Sequence, residues 1–456
     1  MISTKKLLVL FLFFPLLLGI ACRRTSPDPT ATPTDDPQVM AEPATTEPPV
    51  SQPSTDEQDI ITAGSQNLVI LDQTFIQQSD LVFAAFELVN PEPDLLFEDV
   101  DFRMAVYDSN GNKLDEAYIN IAWVFPGQQF WLTNEFFLGD SNITADSLTL
   151  TWDFRDNRSA AGRINPFSMT NTRYWHNENY PIVTGIINNL DPDTYRDLRV
   201  NVVGYDANGN VAGGAYTYVD FIPGNDYVGF SAYLNTFDDI ASVEAYPTFS
   251  YSREVIQGID LWGNISIIDD YFYPGDMGWI MGGLVLQNET DQVLINSMLY
   301  ITFYDEEGFV TSTGTDYIDL ILPGDNLGIS PWVTSPPFES ETFNYDIWVL
   351  PGEPKTDFEL TTNPFVVTET QITGDYNEYV NVTFTNTYSK GVSEVDVHVL
   401  IYDAAGQILG GGQTWSSEPT PAGGTSTVEV WVDYADNAVI DSINVWILPS
   451  YWTEFN

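Results

Sequence analysis

A five-residue phrase recurs four times along this chain at a nearly constant interval. It reads Tyr107-Asp108-Ser109-Asn110-Gly111, Tyr205-Asp206-Ala207-Asn208-Gly209, Tyr304-Asp305-Glu306-Glu307-Gly308 and Tyr402-Asp403-Ala404-Ala405-Gly406, with Tyr-to-Tyr steps of 98, 99 and 98 residues. An interval near a hundred residues is the size of a small β-domain, so the chain reads as a tandem array. Two further landmarks keep the step. An Asn lies 16 or 17 residues before each Tyr (Asn90, Asn189, Asn288, Asn386). A Pro turn follows each Asp by 17 or 18 residues: Pro126-Gly127, Pro223-Gly224, Pro323-Gly324 and the looser Pro421-Ala422-Gly423.

The residues five, three and one before each Tyr are Phe102, Met104, Val106; Val200, Val202, Gly204; Leu299, Ile301, Phe303; and Val397, Val399, Ile401. Those between are mixed: Arg103 and Ala105, Asn201 and Val203, Tyr300 and Thr302, His398 and Leu400. This period of two predicts a strand with one face on a core and the other toward water or a neighbour. The Asp-x-x-Gly that follows predicts a type I turn closed by a Gly bulge, because Asp accepts backbone N–H groups and Gly tolerates positive φ. Aromatics make up 14%, and glycine and proline number 32 and 28; together with the lack of long helical periodicity they indicate an all-β chain. Trp348 and Trp446, 98 residues apart, read as core aromatics on last strands.

The strand-and-turn phrase resembles the bacterial FxLYD domain, an immunoglobulin-like module. Tyr and Asp are kept in all four copies, while Met104 and Val106, Val202 and Gly204, Ile301 and Phe303, and Val399 and Ile401 stand where the family phrase has Phe and Leu. The resemblance implies a fold and an extracellular habit, not an activity. The expectation is four immunoglobulin-like β-sandwich modules at 64–158, 160–254, 256–353 and 358–456.

The N-terminus reads as an export signal over 1–21. Lys5 and Lys6 precede an apolar run from Leu7 to Ile20, too short to span a bilayer comfortably. The run ends at Cys22, the sole cysteine, which resembles a bacterial lipoprotein site; lipidation there is favoured over ordinary cleavage after Ala21. A lone Cys also removes disulfides and cysteine chemistry from the folded part. The segment 22–62, rich in Pro, Thr and acids, reads as a disordered linker. The expected location is the cell envelope, with a lipid anchor in the membrane, or the medium if Cys22 is not lipidated.

The formal net charge is −50, with 65 acids against 15 bases. Nucleic acid is excluded as a partner, and anionic lipid headgroups are unsuited. Beyond Arg253 only Lys355 and Lys390 are basic; the proximal bases Arg103, Lys113, Arg155, Arg158, Arg163, Arg173, Arg196, Arg199 and Arg253 suggest ion pairs between modules.

Candidate chemistry is sparse. Asp108, Asn110 and Asn112, and Asp206, Asn208 and Asn210, place oxygen donors at alternate positions and are weak candidates for Ca²⁺; the later modules lack those donors, which favours a plain turn. His176 and His398 lie in different modules, and His398 has outward parity, so no zinc site or triad is expected. Gly410-Gly411-Gly412 reads as a bulge or close backbone approach. The Asn-x-Ser/Thr sites at Asn142, Asn157, Asn264, Asn288 and Asn381 matter only in a eukaryotic secretory route. No cofactor and no catalytic residue is expected. The favoured function is a non-catalytic surface lipoprotein acting as scaffold, spacer or binding array for an unidentified glycan or protein. The alternatives are a carbohydrate-binding array, motivated by Trp123, Trp131, Tyr174 and Trp175, and a secreted enzyme accessory protein.

Overall fold

The computed structural model describes residues 68–160, 163–176, 181–236, 239–250, 255–256, 264–275, 280–334, 344–374, 378–435 and 438–456. The signal, Cys22, the linker and Arg253 lie outside them. Residues 60–456 fall in one compact unit, and its described elements are strands throughout.

Four β-sandwiches follow one another. The first holds β1 (Val69–Gln78), β2 (Leu81–Val89), β3 (Leu95–Tyr107), β4 (Lys113–Val124), β5 (Gln129–Phe137) and β6 (Ser147–Ser159). The second holds β7 (Phe167–Trp175), β8 (Ile182–Asn189), β9 (Thr194–Tyr205), β10 (Val211–Ile222), β11 (Tyr227–Tyr233), β12 (Asn235–Thr236), β13 (Ser242–Phe249) and β14 (Val255–Ile256). The third holds β15 (Ile265–Pro274), β16 (Ile280–Asn288), β17 (Val293–Tyr304), β18 (Val310–Ile321), β19 (Asn326–Ile329), β20 (Trp332–Thr334), β21 (Asn344–Leu350) and β22 (Glu353–Lys355). The fourth holds β23 (Phe365–Thr373), β24 (Tyr379–Asn386), β25 (Val395–Tyr402), β26 (Ile408–Ser416), β27 (Thr425–Trp431), β28 (Asp433–Tyr434) and β29 (Ser442–Pro449). β14 and β22 pair with β9 and β17, so modules two and three extend to Ile256 and Lys355.

The wiring repeats. A three-stranded sheet (β1-β2-β5, β7-β8-β11, β15-β16-β19, β23-β24-β27) faces a second sheet built on the β3-β4, β9-β10, β17-β18 and β25-β26 hairpins. The inward residues of β3, β9, β17 and β25 are the apolar set expected from the period of two, and all are buried. Gly204 departs from that set because Ile240 fills its place: a Cβ there would stand 2.8 Å from the Ile240 Cδ1. The four principal apolar clusters are centred one to a module, and two reach across. Leu96, Ala122 and Phe125 of module one and Met298, Tyr300, Trp348 and Leu350 of module three join the second cluster.

The outward face of each central strand departs from a simple solvent face. In module one it is open at Asp101 and Arg103. In modules two to four the equivalent residues Asn201, Val203, Tyr300, Thr302 and Leu400 are buried. The preceding module covers them: β1-β2-β5 packs on β9-β10, β8-β11 on β17-β18, and β16-β19 on β25-β26. Sheet-on-sheet packing is thus used between modules as well as inside them.

Candidate functional site at the module junctions

The repeated phrase builds a hairpin turn in every copy. The amide of Asp108 donates to Asn112 O at 3.0 Å and that of Gly111 to Asp108 O at 3.0 Å; the same pair of bonds recurs at Asp206, Asp305 and Asp403. Gly111, Gly209, Gly308 and Gly406 have φ of 77°, 84°, 81° and 78°, the left-handed region that glycine enters without a Cβ penalty. The register shifts beside Tyr107, Tyr304 and Tyr402 and between Val211 and Gly213, opposite Tyr205, complete the bulges.

The Asp carboxylates are committed to these turns. Asp108 Oδ1 accepts from the amides of Asn110 and Asn112 at 2.9 and 2.8 Å, and Oδ2 from Asn112 Nδ2 at 2.8 Å. Asp206 repeats this with Asn208 and Asn210. The Asn side chains therefore turn amide nitrogen, a donor, toward the carboxylate. The Asn112 and Asn210 side-chain bonds lead in holding Asp108 below its ordinary range and Asp206 at about 2. Among the described residues no group of three or more His, Cys, Asp and Glu is arranged to hold a metal.

The landmark Asn explains its fixed distance from the Pro turn. Asn90, Asn189, Asn288 and Asn386 are buried, and each Nδ2 donates to carbonyls on two segments. Asn288 reaches Gln292 O at 2.8 Å and Ile321 O and Leu322 O at 3.1 Å, while its Oδ1 accepts from Thr290. Asn386 reaches Lys390 O, Thr420 O and Pro421 O. One side chain thus satisfies the backbone of the loop after its own strand and of the Pro turn. The left-handed residue of that turn is Gly127, Gly324 and Gly423, but Asn225 in module two, one place beyond the Pro223-Gly224 seen in the sequence.

Three junctions carry the remaining polar chemistry. At the first, Arg199 is only 3% exposed. Its Nη2 donates to Thr133 O of module one at 2.6 Å, Nε to Asn201 Oδ1 at 3.0 Å and Nη1 to Tyr218 OH at 2.9 Å, and it stacks 3.8 Å over the Tyr216 ring. At the second, Tyr300 OH donates to Gly229 O at 2.8 Å and the Gly229 amide to Thr302 Oγ1 at 2.9 Å. At the third, Tyr273 OH donates to Leu409 O at 2.6 Å and Trp446 Nε1 to Asn326 Oδ1 at 2.7 Å. A groove of about 520 Å³ opens beside it, lined in part by Glu369, Thr370, Asn444 and Trp446.

Small residues let these faces meet. A Cβ on Gly214 would stand 2.4 Å from the Phe83 ring, on Gly229 2.3 Å from Thr302 Cγ2, and on Gly328 2.2 Å from the Trp446 ring. Trp446 lies on β29, the last strand of module four, and Trp348 on β21, which only the short β22 follows in module three. They face the preceding module rather than their own core, because their cross-strand partners Tyr300 and His398 are outward residues.

No family model and no curated protein matches the chain. Among solved structures the chain is similar to the native conformation of E. coli alpha-2-macroglobulin at 9% identity, over 86% of this chain and 30% of that one; the TM-score of 0.13 carries no argument.

The aromatic residues singled out in the sequence are junction and core packing. Trp131 is buried against Phe83 and Val203. Trp123 packs edge-on to Phe249 at 4.8 Å, Tyr174 lies against the second core, and Trp175 Nε1 donates to Thr184 Oγ1 and Val310 O. They offer no open platform. Of the proximal bases, Arg173 alone among the described ion pairs reaches another module, at 3.5 Å from Asp305; Lys113, Arg155 and Arg158 pair inside module one. Arg199 crosses its junction through a carbonyl, a contact that the count of charges does not reveal.

The third junction also gathers titratable groups. His398 is largely buried, with Nδ1 enclosed and without a partner, and burial holds it near 4. Two residues away, burial first and then Asp319 and Glu394 push Asp396 up to about 7. Burial raises Asp316 to about 6, opposed by a bond from Gln413.

Proposed function

We propose that this protein is a non-catalytic lipoprotein of the bacterial envelope whose four FxLYD-like modules form an extracellular scaffold or spacer. The observation that carries this reading is the contact between sheets at all three junctions, where Gly214, Gly229 and Gly328 admit a neighbouring side chain at van der Waals range. Modules joined by packed, hydrogen-bonded faces resist bending more than modules on flexible tethers. Lipidation at Cys22 supplies the anchor, and the Pro-rich segment carries the array away from the membrane. The carboxylates of Asp108, Asp206, Asp305 and Asp403 hold turns and that of Asp220 bonds across a junction, which supports a structural use of these acids.

The test is fractionation of cells making the full chain or its Cys22→Ala variant. The wild type is expected in the membrane fraction, releasable by detergent, and the variant in the aqueous fraction. A wild-type protein that fractionates like the variant would overturn the anchored reading.

A further inference from the structure

One exposed aromatic occupies the same structural position in three consecutive modules. Tyr218 on β10, Tyr317 on β18 and Trp415 on β26 are 99 and 98 residues apart. They sit across from Arg199, Met298 and Asp396 on the equivalent strands β9, β17 and β25. Their exposures are 52%, 57% and 56%. None belongs to an apolar cluster. In module one the equivalent residue is Asn120, and the exposed ring stands one pair along, at Tyr118.

Each ring lies beside a junction with hydrogen-bonding groups. Tyr218 OH accepts from Arg199, which reaches back to Thr133 of module one. Tyr317 OH donates to Asp220 Oδ1 of module two at 2.6 Å, and Thr315 Oγ1 to Oδ2 at 2.5 Å. Trp415 pairs across from Asp396, which feels Asp319 of module three; Gln413, on the same strand face, reaches Asp316 at 3.3 Å. A ring bordered by hydrogen-bonding groups therefore recurs in modules two, three and four. With two sheets per module, successive rings are on the order of 20 Å apart.

We propose that Tyr218, Tyr317 and Trp415 form a strip that binds an uncharged polysaccharide laid across modules two to four. A ring presented to solvent offers its face for stacking on the C–H face of a sugar, and the uncharged polar groups beside it exchange hydrogen bonds with sugar hydroxyls. Repetition at the module period calls for a ligand that is itself long and repetitive. Charge selects its kind. A net charge of −50 repels polyanions, including acidic glycans. A polycation is disfavoured locally, because Asp220 already holds two hydroxyls and burial keeps Asp316 and Asp396 protonated to higher pH than free carboxylates. This inference goes beyond the scaffold reading and does not depend on it.

The test is affinity electrophoresis of the full chain through gels containing a neutral β-glucan, xylan or galactomannan, with polylysine and polygalacturonate as charged comparisons. Retardation is expected in at least one neutral gel. Tyr317→Ala or Trp415→Ala is expected to weaken it about 3–10-fold and the double variant at least about tenfold, since linked weak sites multiply. Tyr317→Phe, which keeps the ring, should stay near wild type. Circular dichroism and melting confirm the fold of each variant. The proposal is overturned by no retardation in any neutral gel, by retardation with polylysine alone, or by a folded double variant that binds like wild type.

Discussion

The junction between modules three and four makes a sharp prediction for Gly328→Ala. A methyl there would stand 2.2, 2.5 and 2.7 Å from three carbons of the Trp446 ring. The ring cannot swing aside freely, because its Nε1 is tied to Asn326 at 2.7 Å. Overpacking of this kind costs about 1–3 kcal/mol. A stiffer unfolded chain returns about 0.4–1 kcal/mol, so the net loss is about 1–2 kcal/mol. The equivalent residue in module four is Thr427, exposed and uncovered, where Thr427→Val should stay within about 0.5 kcal/mol. Urea denaturation gives the stability change, and hydrogen exchange over 326–329 and 443–449 locates it. In a Trp446→Leu background the methyl has room, so Gly328→Ala should cost almost nothing there. If the cost persists undiminished in that background, or if Gly328→Ala proves as mild as Thr427→Val, the faces are not pressed together as described.

Asn288→Ala removes the donor shared by Gln292, Ile321 and Leu322, leaving buried carbonyls unsatisfied; urea denaturation should show a loss of about 2–4 kcal/mol, larger than for a typical point substitution. Asp396 and His398 give opposing pH dependences at one junction. The raised carboxyl of Asp396 contributes stability that is fully present below its unfolded value of 3.8 and lost as pH rises through about 7. The depressed His398 contributes stability that is present above 6.5 and lost as pH falls toward 4. Asp396→Asn should therefore be more stable than wild type at pH 8 and should acquire a fall in stability between pH 6.5 and 4. Thermal melts across that range check it, and a variant with the wild-type profile would refute it.

The hairpins and the cores were legible because their causes are local. Asp-x-x-Gly sets its own turn, and Phe102, Met104 and Val106 point the same way because strand geometry alternates. The junctions were not legible, because alternation says that Tyr300 and His398 leave the core without saying what meets them. Trp348 and Trp446 were accordingly assigned inward, although their partners on β17 and β25 are outward residues. A signal was present. The outward positions of β16 and β19 hold Gly283, Val285 and Gly328, whereas β24 and β27 hold Asn381, Thr383 and Thr427 at the same places. Small residues on a face expected to be solvated mark where another surface comes close. One more device, repeated in three modules, was missed for the same reason. Asp99, Asp197 and Asn296 sit mid-strand with φ of 52°, 53° and 56°, each skipped by a ladder whose register is the same on both sides of it, and nothing in the sequence distinguishes such residues from ordinary surface polarity.

The unlike ends of the stack set a rule for lengthening it. An interior module offers a mating surface on both sides, so a copy inserted between modules two and three would meet complementary neighbours. A copy joined after module four would have to bury Thr383, Thr427, Glu429 and Trp431, and one placed before module one would have to bury Asp101 and Arg103. Such an array accepts a new copy more readily in its middle than at either outer face.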